Sequence, residues 1–415
     1  MKALFVCLTD YQLLNSINIK KHMLVDKSAD IIIFNNKIGT FELADRLEST
    51  GLFENVYVYS EYFKGMHKYL RNKSENKQNF TFLKAVRGTL KNITLKTLSI
   101  IKSKEWIINR KIYKNKKINF KEYDQFFGIG TKAFVGKCLE LILQYNKCTN
   151  NVIDEGLATY LSYNWSENYK ADNVYLYEPD LAVYKGKFEN FIKIPKIKKN
   201  DREFIELINF VFDFKDIDKI DLINKVVFFD QNTDPMPKYL RNAGKIKKLI
   251  FANPYKKHLK EQIVYQTKIE LFKILVNNCW PERVFVKLHP RSNPDYIKDY
   301  KDNKAEFFPN IFAPWELFGC NCYIKNNVWV TIYSSAFCAY YFAIENFDNS
   351  NKYIFLYKIL ISKKIIQESK ILDMFFDKFK KINPQKVFMP NTIEEFINIL
   401  KIVKGDKNEF KSFTK

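Results

Sequence analysis

Short apolar runs alternate with stretches of helical periodicity along this chain, and the pattern occurs twice. Lys2 to Leu8 is a continuous apolar run of strand length, and Asp10 is placed to cap a helix that continues to Met23. Asp30 to Phe34 is the next run, Thr40 opens a helix that closes at Gly51, and Val56 to Tyr59 is a third strand. Strand character resumes at Gln125 to Ile129, a helix spans Thr131 to Tyr145, and Asn151 to Ile153 is a short strand that ends at Asp154. The second series starts near residue 225. Strands are expected at Val226 to Phe229, Lys247 to Phe251, Arg283 to Leu288 and Val328 to Ile332, with helices at Gln262 to Asn278 and Phe337 to Ile344. Runs that are apolar throughout, separated by helices, predict parallel sheets with helical crossovers, an α/β class.

The expected organisation is a first Rossmann-like domain over 1–215, interrupted by a basic helical insertion at 64–120, and a second Rossmann-like domain over 216–390, the one that the resemblance given below implies binds the nucleotide. Residues 391–415 complete the chain; the amphipathic stretch Asn391 to Val403 is expected to pack back on the first domain. At 415 residues and 47% hydrophobic content, the chain is long enough for two cores and far too apolar to be disordered.

Charge narrows the partners. The segment 64–120 holds 16 Lys or Arg against Glu75 and Glu105, a net +14 of the chain's +22. One reading is a solvated helical face. The other is an electropositive arm for an anionic membrane surface or an acidic glycan. Nucleic acid is not expected, because no zinc finger, RNP-type aromatic run or basic heptad accompanies the charge. The seven cysteines show no CxxC pairing and fit a reducing cytoplasm. The apolar run at the N-terminus meets Asp10 before a signal-peptide core could form, and no stretch reaches the roughly 18 to 20 apolar residues of a membrane span. The expected location is cytoplasmic and, on the second reading of 64–120, peripheral at the inner face of the plasma membrane.

Three clusters fall where strand gives way to turn. Asp154-Glu155-Gly156 follows Val152-Ile153, where burial and a like-charged neighbour both raise a carboxyl pKa toward that of a general base. Gly156 lets the chain turn sharply and a substrate approach. The competing reading is an acidic turn without chemistry. His289-Pro290 follows Val284 to Leu288. Pro290 restrains the backbone, the His289 imidazole can donate to a phosphate oxygen, and Arg291 offers a second cationic contact. Tyr333-Ser334-Ser335 precedes a helix, where hydroxyls and free N–H groups suit an anion, although a plain serine cap fits as well. Asp216-Ile217-Asp218 has Asp-x-Asp spacing but reads as an exposed acidic face, so no metal site is expected. Gly128-Ile129-Gly130 lacks the third glycine of a dinucleotide fingerprint.

Taken together, these motifs resemble those of the bacterial sialyltransferases of GT-B type: an acidic pair before Gly, an HP dipeptide and a serine dipeptide. The opening Cys7-Leu8-Thr9-Asp10-Tyr11-Gln12-Leu13-Leu14 also resembles the first strand and turn of glycosyltransferase family 52, a group related to the bacterial polysialyltransferases. The resemblance implies two doubly wound domains facing a central cleft. It implies inverting, metal-independent transfer of sialic acid from CMP-sialic acid to a sugar hydroxyl of a surface glycan, lipooligosaccharide or capsule, with no cofactor. Carried onto this chain, the acidic motif supplies the base or the acceptor contacts. His289, Pro290, Arg291, Tyr333, Ser334 and Ser335 hold CMP, and Thr9, Gln12 and Gly156 join the donor-binding set. Some family 52 members place the base just after the first strand of the second domain, which here is Asp230-Gln231-Asn232-Thr233-Asp234. Glu155, Asp154 and Asp230 are thus all candidates for the base, and Glu155 is favoured. CDP-glycerol or CDP-ribitol phosphotransferases share the HP and Tyr-Ser-Ser portions and are the rival enzyme reading. A noncatalytic polyanion-binding protein is the rival outside catalysis.

Overall fold

A computed structural model describes residues 2–35, 39–60, 104–113, 117–129, 134–161, 171–183, 190–215, 222–231, 252–279, 284–289, 297–308, 313–334, 336–345 and 350–404. The expected strand over Lys247 to Phe251 and most of the basic segment, 61–103 and 114–116, lie outside these residues, as does Asp216-Ile217-Asp218.

The chain forms two compact units. The first comprises Met1–Pro179, Tyr184–Pro195 and Phe210–Asp213; the second comprises Asp180–Val183, Lys196–Asn209 and Phe214–Lys415.

The first unit is built on seven strands, β1 (Lys2–Cys7), β2 (Ala29–Phe34), β3 (Asn55–Tyr59), β4 (Tyr123–Gly128), β5 (Thr149–Ile153), β6 (Asn173–Leu176) and β7 (Asn190–Lys193). Their order is β3-β2-β1-β4-β5-β6-β7, and every pairing is parallel. The sequence order reverses between β1 and β4, which is the doubly wound arrangement. β1 is buried almost throughout because helices cover both faces of such a sheet. Phe5 and Phe127, on neighbouring strands, stack at a centroid distance of 4.4 Å. The helix Asp10–His22 is capped by Thr9, not by Asp10 as expected. Thr9 is extended and its hydroxyl accepts the Gln12 N–H, whereas Asp10 lies in the first turn, where its charge faces the positive end of the helix dipole.

In the second unit β8 (Leu222–Ile223) leads into β9 (Val226–Phe229), followed by β10 (Val284–Lys287), β11 (Glu306–Phe307), β12 (Ile324–Lys325), β13 (Val328–Thr331), β14 (Lys352–Phe355) and β15 (Val387–Phe388). The main sheet runs β11-β10-β9-β13-β14-β15, again parallel, while β8 and β12 form a separate pair. Numbered from β9, this is the order 3-2-1-4-5-6 of a dinucleotide-binding sheet. An aromatic cluster fills the core beneath it. Trp329 meets Phe229, Trp315, Tyr340 and Tyr353 with ring centroids 5.3 to 5.9 Å apart, mostly edge to face. The helix expected at Gln262 to Asn278 begins ten residues earlier and covers Ala252–Cys279; the terminal helix Ile393–Lys404 lies against it within this unit. Among the described residues, no helix is long and apolar enough to cross a membrane.

Candidate active site

In the first unit the N-terminal turn and the acidic motif meet. β1 ends at Cys7, and the following turn is folded back onto the helix by Gln12, whose side-chain Oε1 accepts the Leu8 N–H at 2.7 Å. The same carboxamide donates through Nε2 to Glu155 Oε2 at 3.1 Å. Gln12 is itself buried. Glu155 is half-buried, and its own N–H is fixed on the Thr159 hydroxyl at 2.9 Å.

Asp154 occupies a different environment. It is 0% exposed, its Oδ1 accepts the Gly156 N–H at 2.7 Å and its Oδ2 accepts the Tyr160 hydroxyl at 3.0 Å. Gly156 sits at φ 99°, a left-handed value that strains any residue with a Cβ, so the tight Asp154–Gly156 turn depends on glycine. Burial pushes the Asp154 carboxyl up to about 7, against the lowering effect of hydrogen bonds from Gly156 and Tyr160, with the Glu155 charge adding to the rise. Because the folded value lies above the unfolded one, the native state binds the extra proton between about pH 4 and 7. Stability from this group is therefore greatest at the acid end and declines as pH rises through that window. Asp154→Asn, measured by denaturant titration at several pH values, is expected to remove that decline; an unchanged slope would contradict the burial described.

The second unit gathers its candidates on three adjacent strands. β9 is central, with Phe229 aligned to Lys287 of β10 on one side and to Thr331 of β13 on the other. Asp230 comes one residue past β9, His289 two past β10 and Ser334 three past β13, so all three leave the same carboxyl edge. Parallel neighbours lie about 4.8 Å apart. The strand order reverses between β9 and β13, the position at which open parallel sheets bind ligands.

Local hydrogen bonds set each exit. Asp230 extends the ladder by donating its N–H to the Lys287 carbonyl at 2.9 Å. Its buried Oδ1 accepts both Lys268 Nζ and the Tyr300 hydroxyl, each at 2.6 Å, and Lys268 reaches on to the Gln231 carbonyl at 2.8 Å. The Thr331 hydroxyl donates to the Phe229 carbonyl at 3.2 Å and accepts the Ser334 N–H at 2.9 Å, tying the two strand ends at the reversal point. Ser334 Oγ accepts the Ala336 N–H at 3.3 Å, so this hydroxyl has the capping role weighed above. Burial raises the Tyr333 phenol above its ordinary range. His289 is half-buried, directly after buried Leu288. Pro290, Arg291 and Ser335 lie outside the described residues.

The structure thus joins Thr9, Gln12, Asp154, Glu155 and Gly156 in one unit, and Asp230, His289 and Ser334 in the other. Lys268, Tyr300 and Thr331 belong to the second set although nothing in the sequence marked them. Lys268 falls in the helical stretch Gln262 to Asn278, where the sequence does not set it apart from the other lysines, and its ion pair with Asp230 reveals it. Asn15, which donates to the Asp154 carbonyl at 2.8 Å, follows Gln12 and precedes Asn18 at a spacing of three, and that polar repeat is the signal that could have marked it. Among the described residues, no group of three His, Cys, Asp or Glu is placed to hold a metal ion.

The sequence matches no protein-family model and no curated protein. Among solved structures it is similar to the sialyltransferase of Photobacterium damselae, residues 113-497 corresponding to the GT-B domain: 12% identity over 94% of this chain and 100% of that one, TM-score 0.44. It is also similar to Arabidopsis thaliana UGT89C1 complexed with UDP, at 7% identity over 97% and 99% of the two chains, TM-score 0.42. A third is Phytolacca americana UGT2 complexed with UDP-2fluoro-glucose and pterostilbene, at 8% identity over 97% and 89%, TM-score 0.41. The doubly wound assignment rests on the two strand orders themselves.

Proposed function

We propose that this chain is a glycosyltransferase that moves sialic acid from CMP-sialic acid to a sugar hydroxyl with inversion at the anomeric carbon. The observation that carries the reading is the delivery of Asp230, His289 and Ser334 by three adjacent strands about the reversal point of the second sheet. A nucleotide phosphate placed there would meet an imidazole and the serine turn. The choice of sialic acid comes from the motif set, the acidic pair before Gly156 above all.

In this reading Glu155 is the base. Asp154 is wholly buried and committed to the turn, whereas Glu155 is half-buried at the same strand end and can take the proton of an acceptor hydroxyl. The hydroxyl oxygen attacks the anomeric carbon as the bond to the phosphate oxygen of CMP breaks. His289 and Ser334 stabilise the negative charge that develops on that phosphate, so no divalent ion is required. Asp230, with Oδ1 occupied by Lys268 and Tyr300, shapes the donor side instead of accepting the proton.

The chain incubated separately with CMP-sialic acid, CDP-glycerol and UDP-glucose, over a panel of glycan acceptors, is expected to release CMP from CMP-sialic acid alone. Turnover of CDP-glycerol alone would replace this reading with phosphotransfer. No turnover of any donor would remove the enzyme reading.

A further inference from the structure

The helix Asp10–His22 has an unusual interior face. Gln12, Asn15 and Asn18 recur every third residue, so they share one side of the helix, and their exposures are 1%, 0% and 0%. Buried carboxamides are costly unless bonded, and all three donate hydrogen bonds through their NH₂ groups. Asn15 Nδ2 donates to the Asp154 carbonyl at 2.8 Å, and Asn15 Oδ1 accepts the Tyr177 hydroxyl at 3.0 Å. Asn18 Nδ2 reaches Tyr177 Oη at 3.1 Å and the Pro195 carbonyl at 2.8 Å. The stripe therefore clamps the helix to the end of β5 and to the turns that follow β6 and β7. At its upper end is Gln12, which alone of the three reaches a carboxylate.

We propose that Gln12 is the positioning residue for Glu155, holding it in place and in its ionised form, with Asn15 and Asn18 fixing the helix that presents it. This rests on the reading of Glu155 as the base. The orientation of the carboxamide follows from its surroundings. Leu8 N–H is a donor, so the oxygen of Gln12 must face it and the NH₂ must face Glu155. A hydrogen-bond donor aimed at a carboxylate favours its charged form, which is the form a base needs. The donor from Gln12 therefore favours the ionised form of Glu155.

Gln12→Glu is the sharp test, because a carboxylate of the same shape keeps the bond from Leu8 N–H and replaces the donor to Glu155 with a like charge. The full chain carrying ¹³C-carboxyl glutamate is titrated by NMR as wild type, Gln12→Glu, Gln12→Met and Glu155→Gln, the last identifying the Glu155 signal by its loss. The Glu155 titration is expected to move up by about one pH unit or more in Gln12→Glu and by less in Gln12→Met. The acid limb of kcat against pH, measured with CMP-sialic acid, should move by the same amount. A Glu155 titration that stays in place in a folded Gln12→Met or Gln12→Glu protein overturns the inference. If the titration moves while Glu155→Gln retains full turnover, the positioning stands and Glu155 is not the base.

Discussion

Glu155→Gln is expected to lower transfer from CMP-sialic acid by roughly 10²- to 10⁴-fold, the contribution of a positioned general base. The substitution is close to isosteric and keeps an oxygen for the Gln12 donor at 3.1 Å and the backbone bond to Thr159, so the turn after β5 should survive. What is removed is the capacity to accept a proton. The loss should therefore fall on kcat, with CMP binding unchanged by calorimetry, because the groups assigned to CMP belong to the second unit. Asp154→Asn provides the contrast. Its carboxyl is fully buried and bonded to Gly156 and Tyr160, so it acts on the turn and not on the acceptor. Its effect on kcat should be smaller and accompanied by a change in stability. Glu155→Gln turning over at a wild-type rate would eliminate this carboxylate as the base.

The two sheets were legible because their central strands are apolar along their whole length. Lys2 to Leu8, Asp30 to Phe34 and Val226 to Phe229 each match an observed strand within a residue, since a strand covered on both faces has no polar side to confuse the reading. Asn173–Leu176 and Asn190–Lys193 escaped notice for the opposite reason. They are four residues each, and Asn190–Lys193 is an edge strand with exposed ends whose composition is that of a loop. The site was legible to the extent that its residues follow strands: Asp154, His289 and Ser334 were marked by the apolar runs that deliver them. The supporting contacts come from far along the chain. Gln12 and Glu155 are 143 residues apart, Lys268 and Asp230 are 38 apart, and no local pattern encodes which of many polar residues will meet. The cap of the first helix shows the same limit at short range. Thr9 and Asp10 are both capable caps, and the choice followed from where β1 ends.

Lys268→Met is expected to destabilise the second unit by about 3 to 5 kcal/mol, the cost of leaving one partner of a buried ion pair without the other. The ammonium lies 2.6 Å from Asp230 Oδ1, and both side chains are 3% exposed, so water cannot replace it. Its surroundings are built for a cation. The rings of Tyr265 and Tyr300 lie 5.0 and 6.0 Å from Nζ, and the Gln231 carbonyl accepts a second bond. Methionine fills much the same volume but supplies none of the charge, so Asp230 Oδ1 would lose its cation while keeping the bond from the Tyr300 hydroxyl. Denaturant midpoints followed by near-ultraviolet circular dichroism would read the effect, and a loss below about 1 kcal/mol would show that the pair is not balanced as described. The double substitution Asp230→Leu with Lys268→Met should recover most of that stability, because an apolar pair of similar size carries no desolvation penalty. It should not recover transfer. Lys268 ties down the Asp230-Gln231 backbone at the reversal point of the sheet, where the donor is proposed to bind, so a stable double variant with a raised donor KM would separate the fold's need for this pair from the site's need for it.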